Sequence, residues 1–499
     1  MIGRLAGRLA MAWLALGCSS EATTTAIADV AFEGPRADTT PSDPVEDVAP
    51  PAPDTADDVL GLVDDVAAMS DTAVDIGEDV ADASLPPDPA APPALPSEPI
   101  GAGLCVSDVP RTGPGQTFAT TALGTLGARW VRLELIWAEL EPSDGDFHPE
   151  GVDERVDPYH TAGVQVLANL GYGNAWATTA EGADSFYPPD DLSRFADYVG
   201  AVVAHVKDRV QRFEIWNEPN AGYRFWKPTV SGDPAAFAEL LTLATTAGRA
   251  SCPACTFAFG APFFHEQIID GHLTFLTKAQ AAHPGLASSY DAMGFHPYPL
   301  YPPAAPPEGP AQKGELPFEE MARGIRALMA ADGPVRPLWG TELGWPVFGP
   351  VTASRQAAYL TRAMLGLTAL GVTPRCWFNL DDGPNFAQFP PEDAFGLYTW
   401  ADPPTLKPAG KAFALLGHRF AEHRITAALA APDVPEGVTG YVLQGPTGER
   451  VWAVWAFPSE GPLAVTLPAA ATEAIDAVGE SVIGAPSAVE LPRFYVLSE

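Results

Sequence analysis

Two glutamates sit where packing alone gives no reason for a carboxylate. Glu218 closes the apolar run of "VQRFEIWNEPN" (210–220), and Glu342 closes that of "PLWGTELGW" (337–345). Two carboxyl groups brought to one centre can divide a substitution between them. One, protonated, hands its proton to a departing oxygen, while the other attacks carbon or activates a water. In acetal chemistry their spacing selects the course: about 5–5.5 Å for two displacements through a covalent intermediate, about 6.5–9.5 Å for one displacement by water. Like charges this close also disfavour joint ionisation, which keeps a proton on one of the two.

These residues lie 124 positions apart, so a scaffold must bring them to one place. From about residue 101 short apolar runs alternate with amphipathic helical runs. Eight strand candidates appear: "GAGLCVSD", "ARWVRLELIW", "VQVLANLGYG", "VQRFEIWNEPN", "CTFAFGAP", "YDAMGFHPYP", "PLWGTELGW" and "VTPRCWFNL". Between them, Leu192, Phe195, Val199, Val202 and Val206 recur at helical spacing. Asp233 before Pro234 has the pattern of a helix start. Eight such units over residues 101–420 predict an α/β fold, a (β/α)8 TIM barrel, whose sites collect at the C-terminal ends of the strands. An open doubly wound sheet is the alternative, but the Gly-rich loop expected after its first strand is missing.

Glu218 and Glu342 would end the fourth and seventh strands, facing each other across the barrel mouth. Pro219 disfavours the α region for Glu218 and predicts it extended at the rim. Strict alternation would send Asn217 and Glu218 to opposite faces. For both to serve one site, the fourth strand must end irregularly.

The flanks read differently. Residues 421–499 carry short alternating runs ("GYVLQG", "RVWAVWAF", "LAVTL", "FYVLS") and predict a small β-sandwich without polar clusters. Residues 1–18 read as an export signal, two arginines before a short apolar stretch. "ALGC" resembles the lipobox of bacterial lipoproteins, with Ala15 where Leu is favoured, which implies lipidation of Cys18; an ordinary signal peptide cut nearby is the alternative. Residues 19–100 hold 19 acidic residues against one basic, about half of the chain's net charge of −35, and almost no aromatics. Such a segment buries too little apolar surface to fold and is expected to be a disordered acidic linker. "CPAC" (252–255), without a second pair, predicts a local disulfide rather than a zinc site.

With strands and motifs in hand, "NEP" after the fourth strand and "TELGW" after the seventh resemble the paired motifs of the clan-A glycoside hydrolases. "EIWNEPN…FW" and "GFHPY" look closest to family 39, with family 5 next. The resemblance implies a retaining glycosidase with Glu218 as acid/base and Glu342 as nucleophile. It implies Asn217 on the sugar 2-hydroxyl, Arg132 beside the nucleophile, and His296 and Tyr298 bonded to substrate and Glu342. Trp377 would be a floor under the sugar, with a cis peptide to Phe378. Among aromatics near strand ends (Trp137, Tyr172, Trp176, Trp226, Trp345), Trp345 is the first expected platform. The Pro-rich run 298–317 is expected to wall the substrate groove.

The expected partner is therefore a carbohydrate, with no cofactor and no metal. No HExxH, GxSxG or Walker loop occurs, and no Lys/Arg-rich run gives the footprint of nucleic-acid binding. The implied setting is outside the cell, lipid-anchored to a bacterial envelope or secreted, with no membrane contact beyond the lipid. Two other readings stay open: a transglycosidase using the same intermediate, and a non-catalytic carbohydrate-binding surface protein, which would normally lack one of the two carboxylates.

Overall fold

The computed structural model describes residues 95, 97–263, 270–298, 305–309, 316–384, 392–457 and 461–498. The expectations for residues 1–18, Cys18, nearly all of 19–100 and most of the 298–317 loop fall outside these.

Eight parallel strands close into a barrel in sequence order. They are β1 (Leu104–Ser107), β2 (Trp130–Ile136), β3 (Gln165–Gly171), β4 (Arg212–Ile215), β5 (Thr256–Phe259), β6 (Ala292–Phe295), β7 (Leu338–Leu343) and β8 (Arg375–Phe378). Around them run α1 (Pro114–Leu126), the single turn α2 (Trp137–Leu140), α3 (Pro149–Thr161), α4 (Ser193–Val206), the turn α5 (Gly222–Phe225), α6 (Pro234–Ser251), α7 (His272–Ala282), α8 (Phe318–Asp332), α9 (Ala353–Ala369) and α10 (Pro408–His418). The helix signals hold in the fold. Asp233 caps α6 by accepting from Ala235 N and Ala236 N. Phe195, Val199, Val202 and Val206 of α4 are buried, each contributing about 1.5–3 kcal/mol by leaving water.

Strand alternation sorts the side chains into two sets. In β2, Val131, Leu133 and Leu135 join the large apolar cluster under the helices, while Trp130 joins a small cluster inside the barrel. That inner layer holds Cys105, Trp130, Leu167, Ala258, Ala292, Trp339 and Cys376, with the Arg212 guanidinium 4.2 Å from the Trp130 ring centre. Two residues further along each strand the inner layer turns polar. Arg132, Asn169, Glu214 and Thr341 lie there, all buried. Gly294 leaves room for them: a Cβ at this position would stand 3.0 Å from Glu214 Oε1 and 2.8 Å from the Phe259 carbonyl.

β1 and β8 pair in parallel at the seam, with Cys105 opposite Cys376, and the two form a disulfide. Cys252 and Cys255 form the expected local one.

The C-terminal region is a five-stranded antiparallel sheet, β13 (Ala471–Asp476), β15 (Arg493–Leu497), β11 (Arg450–Ala456), β10 (Val438–Gln444) and β9 (Arg424–Leu429) in that order, with a two-stranded ribbon of β12 (Leu463–Ala464) and β14 (Ser487–Ala488). Alternation again divides it. Val451, Ala453, Trp455 and Phe494 join the barrel's apolar cluster, and Phe494 stacks on Phe420 at 4.5 Å. Trp452, Val454 and Tyr495 pack on the other face with Val465 and Ala488. The boundary expected at residue 101 moves a few residues earlier. Ile100 N and Gly101 N donate to the His423 and Ala421 carbonyls, Ser97 N donates to Ile425 O, and Ile100 is buried.

Candidate active site

β4 ends at Ile215, and the next three residues resolve the alternation problem. Trp216 (φ 67°) and Glu218 (φ 45°) both take positive φ. The first departure keeps the Trp216 ring outside the barrel, against Phe195 and Trp226. Asn217 and Glu218 then both turn inward. Glu218 is therefore not extended, as Pro219 alone would predict. Its left-handed backbone is held by its own N–H donating to Ala261 O at 2.9 Å. Such backbone is unfavourable for a side chain with a Cβ and persists where surroundings fix it, often at functional sites. Asn220 completes the clamp: its Oδ1 accepts from Phe263 N, and its Nδ2 donates to the Phe263 and Asp270 carbonyls, at 2.6, 2.6 and 2.8 Å.

Glu342 reaches the mouth by a different irregularity. Gly340 pairs with Arg375 and Leu343 with Trp377, so β7 spends one residue more than β8 over this interval. The bulge lets consecutive side chains, Thr341 and Glu342, both face inward.

The two glutamates meet. An oxygen of Glu218, a ring nitrogen of His296 and an oxygen of Glu342 lie within 4.8 Å of one another. Arg132 Nη1 donates to Glu342 Oε1 at 2.6 Å, and the Tyr298 hydroxyl donates to Oε2 at 3.0 Å. Arg132 also donates through Nη2 to Asn217 Oδ1 at 2.7 Å and through Nε to Glu214 Oε2 at 2.6 Å. Burial raises the Glu342 carboxyl above its ordinary value, while the Arg132 charge and the Tyr298 hydrogen bond oppose it. Burial, and then the Glu342 charge, push the Tyr298 hydroxyl far up, so it stays a donor.

Four further expectations need correction. His296 does not hydrogen-bond Glu342. Its Nδ1 lies 2.8 Å from Glu218 Oε1 and 4.0 Å from Glu342 Oε2. Trp377 is not a floor, because it has the parity of the helix-facing set: it is 0% exposed and stacks on Trp345 at 6.0 Å. Phe378, one residue on, is the inward, partly exposed ring, and the cis peptide joins Phe378 to Asn379 rather than Trp377 to Phe378. Trp345 is 1% exposed, with Nε1 donating to Ala305 O, and offers no face to a ligand. Trp137, Tyr172 and Trp226 are likewise buried, and Trp176 packs against Trp137.

Several participants were not anticipated. Glu214 and Thr341 lie beneath the pair, and Asn169 Nδ2 donates to Glu214. Glu134 accepts from the Tyr172 hydroxyl at 3.0 Å, and Asn379 Nδ2 donates to Asp108 at 3.3 Å on the β8–β1 side. The signal for Glu134 was present, since it stands two residues from Arg132 on the same face of β2.

Neither a protein-family model nor a curated protein sequence matches the chain. Solved structures do. One is a family 39 glycoside hydrolase from the gut symbiont Bacteroides cellulosilyticus WH2, with 21% identity, 80% of this chain and 81% of that chain covered, and a TM-score of 0.63. The family 39 beta-xylosidase from Caulobacter crescentus has 20% identity, 77% and 83% coverage and a TM-score of 0.52. A family 30 endoxylanase from Clostridium papyrosolvens C71 has 13% identity, 81% and 98% coverage and a TM-score of 0.54. The chain shares their fold.

Glu218, His296 and Glu342 also meet the spacing of a small cation site. Arg132 and Tyr298 already occupy both oxygens of Glu342, so the protein's own donors compensate this carboxylate.

Proposed function

We propose that the chain is a retaining glycoside hydrolase acting on a polysaccharide or oligosaccharide. The observation that carries this reading is the approach of Glu218 and Glu342 at the barrel mouth, close enough that their oxygens fall within 4.8 Å. So close an approach of one oxygen from each supports the shorter carboxyl separation, about 5–5.5 Å, that suits two displacements. The two environments also suit different roles. Glu342 faces two donors, one of them a guanidinium, which favours an ionised nucleophile. Glu218 faces a histidine nitrogen that can share a proton with it.

In the first step Glu342 attacks the anomeric carbon, and the proton of Glu218 passes to the leaving oxygen as the glycosidic bond breaks. In the second step water attacks that carbon, its proton goes to Glu218, and the bond to Glu342 breaks. Arg132 occupies Asn217 Oδ1, so the amide nitrogen of Asn217 is the end that meets the sugar 2-hydroxyl. Phe378 supplies the apolar floor. We further propose that the enzyme works outside the cell, exported by residues 1–18 and tethered through Cys18.

A mechanism-based trap tests the reading. A panel of 2-deoxy-2-fluoro glycosides with good leaving groups should leave a glycosyl adduct on Glu342, seen by peptide mass spectrometry. No adduct from any sugar would favour a non-catalytic binding protein. Product analysis with and without an acceptor sugar separates hydrolysis from transglycosylation.

A further inference from the structure

Beneath the paired glutamates a hydrogen-bonded chain runs from Glu214 through Thr341 and His296 to Glu218. Glu214 lies at its inner end, fully buried. Four donors surround its two oxygens. Thr341 Oγ1 at 2.7 Å and Ala261 N at 3.1 Å meet Oε1; Arg132 Nε at 2.6 Å and Asn169 Nδ2 at 3.2 Å meet Oε2. Three of these, Arg132, Asn169 and the Ala261 amide, can only donate at the contacting atom, so Glu214 is here an acceptor.

Thr341 sets the direction of the hydrogen bonds. Its hydroxyl has one hydrogen, and that hydrogen goes to Glu214. Its oxygen therefore accepts from the neighbour on the other side, His296 Nε2 at 3.0 Å. A histidine that carries hydrogen on Nε2 has, when neutral, a bare lone pair on Nδ1. That lone pair faces Glu218 Oε1 at 2.8 Å. A hydrogen bond of this length needs a hydrogen, and Glu218 is the group that can supply it. The reversed chain, with its proton on Glu214, would take the ion-pair partner from Nε of a guanidinium that is itself buried.

We infer that Thr341 and Glu214 are positioning residues that fix His296 as its Nε2–H tautomer and thereby keep the acid/base Glu218 protonated in the resting enzyme. The inference rests on the glycosidase reading and deepens it, because it explains why the proton is on Glu218 before a sugar arrives. Arg132 is shared by both ends of the arrangement. Through Nε it holds Glu214 as the acceptor that orients the chain, and through Nη1 it holds Glu342 ionised. The proton of Glu218 leaves with the departing oxygen. The carboxylate left behind faces the Nδ1 lone pair, an arrangement relieved when it takes the proton of the attacking water.

Ring 15N-labelled histidine and NMR on the full chain at neutral pH test this without any substrate. His296 signals are assigned by their loss in His296→Gln. The expected spectrum has protonated, pyrrole-type Nε2 and unprotonated, hydrogen-bonded Nδ1, in the wild type and in Thr341→Ser. In Thr341→Val, which keeps the shape and removes the hydroxyl, the two tautomers should mix. The kcat of Thr341→Val should fall about tenfold, a fraction of the ~10²–10⁴ that a general acid supplies, with KM little changed and Thr341→Ser restoring the rate. A proton on Nδ1, or on both nitrogens, in the wild type overturns the inference. So does a Thr341→Val that keeps the wild-type tautomer and kcat. Should Thr341→Val not fold, the wild-type and Thr341→Ser spectra decide. An adduct on Glu342 with the wrong tautomer sinks this inference alone, whereas the right tautomer with no adduct sinks the glycosidase reading.

Discussion

The guanidinium of Arg132 lies against the carboxylate of Glu342, Nη1 to Oε1 at 2.6 Å, and the arginine side chain is 2% exposed. A cation so placed is effectively permanent, since burial opposes its charge but Glu214 and Glu342 hold it well above its ordinary value. It compensates the carboxylate proposed to attack, and it ties that residue to Asn217 and Glu214 on the opposite side of the barrel.

The two glutamates should fail in different ways. Glu342→Ala should abolish turnover. Glu218→Ala should lower kcat by about 10²–10⁴-fold on substrates with poor leaving groups. On an aryl glycoside whose leaving group needs no proton, the first step should survive. Added azide should then raise the rate and yield a glycosyl azide of unchanged anomeric configuration. An inverted azide product would contradict two displacements.

The acid limb of the pH profile depends on Glu342. Its carboxyl is raised by burial above the ordinary 4.5, with the Arg132 charge and the Tyr298 hydrogen bond opposing. Attack needs the ionised form, so the acid limb of kcat/KM, which reports the free enzyme, should lie above that value. Arg132→Gln removes an opposing charge and should move the limb further up, alongside a large loss of rate. The same shift sets the sign for stability. The folded state holds a proton that the unfolded chain has released. The contribution of this group is therefore fully present below the unfolded value and is lost as pH rises through the folded one. A limb that moves down in Arg132→Gln would contradict the arrangement.

Trp345 and Phe378 should separate packing from binding. Trp345→Ala empties a buried site and should destabilise by about 3–5 kcal/mol, read as a lower denaturation midpoint, with KM near wild type in the folded fraction. Phe378→Ala should change stability less and raise KM. The opposite pattern would return Trp345 to the substrate groove.

The seam disulfide should matter more than the local one. Cys105 and Cys376 close a loop with a separation of 271 residues, Cys252 and Cys255 one of 3. The chain-entropy model assigns the long loop about 5 kcal/mol. Cys105→Ala/Cys376→Ala should lower the thermal midpoint clearly, while Cys252→Ala/Cys255→Ala should shift it slightly. Equal shifts for the two pairs would argue against a loop-closure origin.

Much of this is legible in the residues. The eight strands, the alternation with helices and the placement of Glu218 and Glu342 at strand ends come from apolar periodicity, which a barrel covered on both faces enforces strongly. The features that escape depend on departures from periodicity. The resemblance puts Trp377 under the sugar, but parity counted from Cys376 sends it outward and brings in Phe378. Pro219 correctly argues against helix at Glu218, yet steric exclusion of one region does not say which remaining region the chain adopts. There the Ala261 carbonyl, from another strand end, makes the choice. The pairing of Cys105 with Cys376 is hidden because only closure of the barrel makes the first and eighth strands neighbours. Glu214 has no visible role within its motif, since a carboxylate in a barrel interior becomes intelligible only once its four donors are known.

The surplus residue in β7 has a consequence for anyone redesigning this scaffold. Deleting it would give a tidier ladder and a sturdier-looking sheet. It would also force the strand to choose between presenting Thr341 and presenting Glu342, and either choice discards half of what the interior needs. Regularity and activity are here rival properties of three consecutive peptide units, and a sequence optimised for the first should be expected to yield a well-behaved, inert protein.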